Sequence, residues 1–456
     1  MNLRQNFPIV LFLATCVFCG CDKDNGCVEP TEIKEIQCEP HEITIAYEGT
    51  QYVEYTVSPA DADIKDVRWV FADSTIAKAI DVNTIFGMKA GETWGYLVSC
   101  NNTDVKDSVH VTVLEKQFRS IPVDDANIHY EGRVVASANE VAFFYPGSSI
   151  SVDFTGTTLY AKLSQGDIFY WVEIDDQEPY KLAMNSKANW VKSNIFRIAE
   201  GLGKGKHTAK ITLCSEAILK NARFYGFEID ETAEVTKPAE KPLKFEFIGN
   251  SITCGYGTEA ASHFEHFSDA TSNFCHTFAY ATATEFNAEI MVVARSGIGV
   301  YRNYGDETTA TEFGSMPDNY EKTWLTNNTA WDFSAYTPDV VFINLGTNDA
   351  WKMETLDSTK FDNEYRKLLN SVTTHYPHAK VVLLTGSMLS ADQLKVLKPI
   401  IDNLAADYNT DGHPFYRFHF NAVAGDGADW HPNAKQQATM GRNLILFLQR
   451  NGIVTK

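Results

Sequence analysis

The chain has 456 residues, which at ordinary domain size corresponds to about two to four domains. Apolar residues make up 44% and charged residues 21%, which excludes a mainly disordered or fibrous chain. The 39 Lys+Arg and 59 Asp+Glu leave a formal charge of −20, which repels phosphate backbones and anionic lipid, argues against a nucleic-acid partner, and leaves neutral polymers open.

Residues 1–20 read as an export signal, with Arg4 as the positive end and an apolar run from Phe7 to Phe18 too short to span a bilayer. Phe18-Cys19-Gly20-Cys21 then gives way abruptly to Asp22-Lys23-Asp24-Asn25. This resembles a bacterial lipobox. The resemblance implies cleavage before Cys21, lipidation of its sulfur, and a lipid-anchored protein of the cell envelope, at the outer membrane or cell surface. A cut before Cys16, or simple secretion with a free Cys21, are the alternatives. No later stretch is long and apolar enough to span a membrane, so the lipid is the only membrane contact expected. Residues 21–40 carry Pro30 and Pro40 and read as a tether. The later cysteines at 27, 38, 100, 214, 254 and 275 match no zinc or Cys-x-x-Cys spacing, so no metal site is expected.

Residues 41–118 alternate apolar and polar between turns, as in Tyr52-Val53-Glu54-Tyr55-Thr56-Val57 and Val109-His110-Val111-Thr112-Val113. Ser58-Pro59-Ala60, Val67-Arg68-Trp69, Ser74-Thr75-Ile76-Ala77 and Lys89-Ala90-Gly91-Glu92 resemble a bacterial Ig-like group 2 domain. The resemblance implies a spacer or adhesive β-sandwich with Trp69 in its core. Residues 119–232 are again strand-rich, for example Ser149-Ile150-Ser151-Val152-Asp153-Phe154 and Phe169-Tyr170-Trp171-Val172-Glu173-Ile174. They read as a second β-sandwich, a jelly roll, that packs and positions its neighbour. A glycan contact through Tyr170 or Trp190 is the alternative. Residues 233–242 are charged, contain two prolines and read as a linker.

Residues 243–456 alternate apolar strands with helical stretches, the pattern of an α/β three-layer domain. Strands are expected at 245–248, 290–293, 340–345 and 381–384, and helices near 272–287, 359–375, 391–408 and 433–450. The strands are continuously apolar, as suits a parallel sheet covered on both faces. Three of them run into polar, Gly-containing clusters: Gly249-Asn250-Ser251, Ser296-Gly297-Ile298-Gly299 and Gly346-Thr347-Asn348-Asp349. A fourth cluster, Asp429-Trp430-His431-Pro432, precedes the last helix. Open α/β sheets bind their ligands at the carboxyl ends of the strands, so these clusters are expected to converge.

The chemistry follows from residue type. Ser251 at a helix start is a candidate nucleophile, and His431 the candidate base. The N–H groups of Ser251 and Gly297 and the amide of Asn348 are candidate oxyanion donors. In this order, Ser251, Gly297, Asn348 and His431 resemble the four blocks of the SGNH (GDSL-type) hydrolases. The runs Phe247–Gly257, Ser296–Gly305 and Asp429–Pro432 resemble carbohydrate esterase family 2 more closely. That resemblance spans about 119–456 and implies a flavodoxin-like hydrolase domain behind a β-sandwich. It implies a serine esterase that removes acetyl groups from polysaccharides such as acetylated xylan or glucomannan, with no cofactor or metal.

Two residues depart from the common pattern. Asn250 stands where an Asp is usual, a change expected to be tolerated. Ala428 stands three residues before His431, where an Asp usually orients the base. The resemblance to family 2 implies a main-chain carbonyl in its place. The matching carbonyl is that of Asp429, with the Asp429 or Asp426 side chain as the alternative. Trp430, and more weakly Tyr301, Trp351 and Trp331, are candidate sugar platforms. Asp349 reads as structural, and His263 and His266 as a solvated pair. Cys254 reads as a buried thiol, with a Cys254–Cys275 disulfide as the alternative. A lipase or thioesterase on the same fold, and a non-catalytic glycan-binding lipoprotein, are the rival functions.

Overall fold

The computed structural model describes residues 30–187, 190–192, 194–311, 313–325, 327–410, 412–421 and 425–455. The expected signal segment, Cys21 and the side chain of Trp190 lie outside the described residues. The chain divides into two compact units, 1–117 and 118–456.

The described residues of the first unit, 30–117, are all β. Glu42–Ile45, Lys106–Val113, Gly91–Ser99 and Val67–Phe71 lie side by side in one sheet, the first pair parallel. Alternation along these strands sends Ile43, Leu97, Val109 and Val111 to a common core. Trp69 is half-buried at the edge of that core and donates its indole N–H to the Val82 carbonyl at 2.9 Å. Residues 22–29 of the expected tether also lie outside the described residues, and over 30–40 the expectation needs correcting: Glu35–Glu39 is a strand paired with Glu54–Ser58, and Ile36 and Cys38 enter the core. Its apolar residues recur at every second position, a pattern masked by the flanking prolines.

The second unit contains two domains on one frame. Residues 118–232 form two facing antiparallel sheets. One contains Ser149–Thr155, Lys206–Leu213 and Phe169–Ile174, and the other Ala222–Asp230, Thr158–Leu163 and Ile195–Glu200. Val152, Phe154, Tyr170 and Ile211 from the first meet Leu159, Phe196 and Phe227 from the second in one buried cluster. The expected linker 233–242 is not free chain: Val235–Thr236 pairs with Asp153–Phe154, and Lys241 Nζ bonds Glu131 at 2.9 Å.

Among its described residues the C-terminal domain has five parallel strands, numbered here within the domain. They are β1 (Leu243–Gly249), β2 (Ala288–Ala294), β3 (Val340–Asn344), β4 (Lys380–Thr385) and β5 (Phe415–His419). Their order is β2-β1-β3-β4-β5, the flavodoxin-like arrangement. β5 was not foreseen; its Phe-Tyr-Arg-Phe-His run is a partly exposed edge strand rather than an apolar block. Helices cover both faces. α1 (Ser251–Cys254), α2 (Phe278–Glu285) and α5 (Ala434–Arg450) pack with Phe245, Phe247 and Phe342. α3 (Ser358–His375) and α4 (Ala391–Tyr408) pack with Ile248, Val341 and Ile343 on the other side.

Alternation along β1 sends Phe245 and Phe247 to one face and Glu246 to the other. Glu246 is fully buried in the middle of the sheet. Arg133, from the sandwich, reaches it with an Nη2–Oε1 distance of 3.1 Å. Nearby, Phe144 of the sandwich stacks on Trp324 with centroids 4.1 Å apart, and the Phe274 N–H donates to the Cys214 carbonyl at 2.8 Å. Gly147, at φ +81°, lies so close to Phe274 that a Cβ would come within 2.6 Å of its ring.

Candidate active site

Asn250 ends β1 in an extended conformation and caps α1, its Oδ1 accepting from the Ile252 N–H at 3.1 Å. Either Asn or Asp supplies that oxygen, which explains why Asn serves here. The cap turns the chain so that Ser251 opens the helix with its own N–H unspent by any helical acceptor. The chain then leaves through Gly255 and Gly257, both at positive φ. Gly257 is pressed against Ala428: a Cβ on it would lie 2.2 Å from that of Ala428. The Ala428 N–H donates to the Gly257 carbonyl at 3.2 Å, and the Ala434 N–H to the Thr258 carbonyl at 2.9 Å. These contacts bring together residues 180 apart in sequence. Ser251 Oγ lies 2.8 Å from His431 Nε2.

His431 Nδ1 lies 3.0 Å from the main-chain oxygen of Ala428. A carbonyl can only accept, so Nδ1 carries the proton and Nε2 is free to accept from Ser251. This shifts the expectation for Asp429: the carbonyl within hydrogen-bond distance of His431 Nδ1 is that of Ala428, and the main chain of Asp429 is a lesser second partner. The reason is the turn itself. Asp429 and Trp430 both adopt left-handed backbone, φ 48° and 66°, which folds the Ala428 carbonyl back under the ring. Ala428 is fully buried against Gly257, so an Asp side chain has no room there.

The Asp429 side chain does something else. It accepts from the Tyr256 hydroxyl at 2.6 Å, from the Phe267 N–H at 3.1 Å, and meets His266 Nδ1 at 2.8 Å. Burial would raise its carboxyl, but these bonds outweigh it and hold the group below the usual carboxylate range. The Tyr256 ring so anchored stacks on His431, centroids 4.0 Å apart and planes 23° apart. Tyr256 was not singled out from the sequence, although its place between Gly255 and Gly257 marks a tight approach.

Gly297, inside the second cluster, sits at φ +80°, a conformation that favours glycine. Its carbonyl accepts from the Tyr304 N–H at 2.8 Å. Asn348 donates one amide hydrogen to the Ile298 carbonyl at 2.7 Å, which leaves the second for a ligand. Ser251, Gly297, Asn348 and His431 line one cleft of about 610 Å³. Ser296, Thr347, Gln393, Met388, Tyr304 and Trp351 complete its walls with Tyr256 and Asp429.

The aromatic candidates part company. Trp351 lines the cleft beside Tyr304, which is 70% exposed and was missed because a lone Tyr near a glycine carries no periodic signal. Tyr301 is not a platform: it is buried, and its hydroxyl accepts from the Asp357 N–H at 3.0 Å. Trp430 is 52% exposed and stacks on His263 outside the cleft lining. Trp331 lies against Arg133, away from the cleft. Asp349 is structural, its carboxylate accepting from the N–H groups of Val300, Tyr301 and Arg302. Cys254 and Cys275 are both free thiols, and burial raises the Cys254 thiol well above its usual range, so it is no rival nucleophile.

Burial pushes the His431 imidazolium down to about 4, against the pull of the Ala428 carbonyl. A group depressed in this way is neutral, and a competent base, at every pH above that value. The acid limb of kcat/KM is therefore expected near pH 4, not near the ordinary histidine value of about 6.5. A pH–rate profile with its acid midpoint above 6 would contradict it.

A serine–histidine dyad at the carboxyl ends of a 2-1-3-4-5 parallel sheet, facing three candidate oxyanion donors, has the layout of an SGNH-type hydrolase. Comparison narrows this. Residues 130–238 match the carbohydrate esterase 2 N-terminal family and residues 247–438 the GDSL-like lipase/acylhydrolase family. In both regions the chain is similar to family 2 carbohydrate esterases. It is 31% identical over 327 residues to the cellulase/esterase CelE of Acetivibrio thermocellus, covering 70% of this chain but only 39% of that longer protein. It is 25% identical to an acetylxylan esterase/glucomannan deacetylase of Cellvibrio japonicus, over 78% of this chain and 95% of that one. The solved structure of a family two carbohydrate esterase from Clostridium thermocellum with cellohexaose superposes with a TM-score of 0.64. It is 29% identical and covers 72% of this chain and all of that one.

Proposed function

We propose that this protein removes O-acetyl groups from polysaccharides such as acetylated xylan or glucomannan, through an acyl-enzyme on Ser251. The observation that carries the reading is the 2.8 Å contact from Ser251 Oγ to an imidazole whose other nitrogen is already committed to a carbonyl. Ser251 Oγ attacks the acetyl carbonyl carbon as His431 Nε2 takes its proton. The carbonyl oxygen, now an oxyanion, receives hydrogen bonds from the N–H groups of Ser251 and Gly297 and from Asn348. As the intermediate collapses, His431 returns the proton to the sugar oxygen and the deacetylated sugar leaves. Water, deprotonated by His431, then attacks the acyl carbon, and acetate departs as Ser251 regains its proton.

The cleft favours a sugar ester over a long acyl chain. Its walls carry Thr347, Asn348 and Gln393 beside the faces of Tyr304 and Trp351, the mixture that suits hydroxyl-rich rings with apolar faces. The relatives' printed names, acetylxylan esterase and glucomannan deacetylase, support the same substrate class. The test is acetate release from acetylated xylan and glucomannan. Release is expected; a folded protein that prefers long-chain esters would overturn the reading.

Asn348→Ala is expected to keep the fold and lose on the order of 10²–10³ in kcat, the usual cost of one oxyanion donor. A variant with more than about a tenth of the wild-type kcat would remove Asn348 from that role. We also infer that the facing sheets of 118–232 are a jelly roll and that residues 31–117 are an Ig-like spacer. The strand pairings and cores described above support both.

A further inference from the structure

Glu216 belongs to the sandwich, in the loop after the strand Lys206–Leu213. That loop is anchored: the Ala217 N–H donates to the Phe144 carbonyl at 2.9 Å, and Ala217 and Ile218 are buried. From it the Glu216 carboxylate crosses into the hydrolase domain. It accepts the Ser296 N–H at 2.8 Å on Oε1 and the Ser296 hydroxyl on Oε2. Burial raises this carboxyl above the ordinary range, while the two Ser296 donors and nearby Arg295 pull it down. A carboxyl is costly to bury, and the two Ser296 donors satisfy it here.

Ser296 immediately precedes Gly297, which lines the cleft, and the peptide between them bears the candidate oxyanion N–H. Gly297, without a side chain and at φ +80°, is free to swing. Its far side is tied down by the Tyr304 N–H on its carbonyl. Its near side is tied down by Glu216 through Ser296. We propose that the sandwich domain is part of the catalytic apparatus: Glu216 is a positioning residue that holds Ser296, and through it the Gly297 N–H, where a developing oxyanion needs it. The inference rests on the esterase reading above. It goes beyond that reading by making the hydrolase domain incomplete without its neighbour.

Oxyanion stabilisation acts in the transition state and hardly on the bound substrate, so loosening the donor lowers kcat and spares KM. A misplacement on the order of 1 Å costs about 10²-fold. The experiment compares wild type, Ser251→Ala, Glu216→Ala and Glu216→Gln on an acetylated sugar substrate, with the melting temperature of each. Glu216→Ala is expected to lose about 10- to 100-fold in kcat with KM within about twofold and little change in melting temperature. Glu216→Gln is expected to recover most of it, because an amide still accepts from the N–H and can donate to the hydroxyl oxygen. A Glu216→Ala enzyme with wild-type kcat would overturn the inference. So would a loss confined to KM, or one that Gln does not relieve. If Glu216→Ala does not fold, Ser296→Ala decides: a several-fold fall in kcat supports the role, and none overturns it. Wild type without esterase activity would instead sink the functional reading, an outcome distinct from all of these.

Discussion

Ser251→Ala and His431→Ala are each expected to lower kcat by about 10⁶, and the double variant to be scarcely worse than either. The two side chains act as one unit. Without the imidazole the hydroxyl keeps its proton, and without the hydroxyl the imidazole has nothing to activate. The geometry makes the coupling direct, with 2.8 Å between Oγ and Nε2 and no third side chain between them. The third member is a backbone carbonyl, so no substitution removes it. Ala428→Asp, which would install the usual acidic partner, is expected to fail. Ala428 is buried against Gly257, and the incoming carboxylate would push the whole His431 turn away from Ser251. Single-turnover acetate release from each variant checks these statements. Additive losses in the double variant would mean that Ser251 and His431 work separately.

Arg133→Ala is expected to destabilise the second unit by about 3–5 kcal/mol while leaving the catalytic constants of the folded fraction near wild type. Arg133 and Glu246 are both fully buried. The guanidinium also donates to the carbonyls of Tyr320 and Lys322, and Tyr320 donates its hydroxyl to Glu246 at 2.8 Å. Its plane lies over the rings of Tyr320, Trp331 and Phe333, with centroids 5.0–5.3 Å away. Removing the cation strands a carboxylate in the middle of a parallel sheet, which costs far more than the pair contributes over an apolar replacement. Arg133→Met with Glu246→Gln is therefore expected to recover much of the loss. Urea midpoints for wild type, Arg133→Ala and the double variant test this, and equal midpoints for Arg133→Ala and wild type would rule it out.

The two contacts assign different tasks to the sandwich domain. Arg133 fastens it to β1, an interior strand of the parallel sheet, and Glu216 reaches the edge of the cleft. The first should appear in stability with kcat intact, the second in kcat with stability intact.

Much of the site was legible in the residues. Four polar clusters, three of them after apolar strand runs, put the candidate nucleophile, oxyanion donors and base at one end of a sheet, because parallel strands all end on the same side. The strands and helices of 243–456 were readable where one period dominates, and β5 was missed where a half-exposed edge strand has no continuous apolar run. The prolines around Glu35–Glu39 hid a strand whose own alternation was intact.

What only the tertiary structure decided lies in directions and long-range partners. Whether the carbonyl of Ala428 or that of Asp429 meets His431 depends on two left-handed residues in succession, which no local propensity dictates for Asp and Trp. Tyr256 and Asp429 lie 173 residues apart, Arg133 and Glu246 113, and Glu216 and Ser296 80. Patterning by residue type determines which faces are buried and which chemistry is present, since both follow from neighbours in the chain. Which polar group a buried side chain meets is decided by the packing of separate domains, and that leaves no periodic trace in either partner.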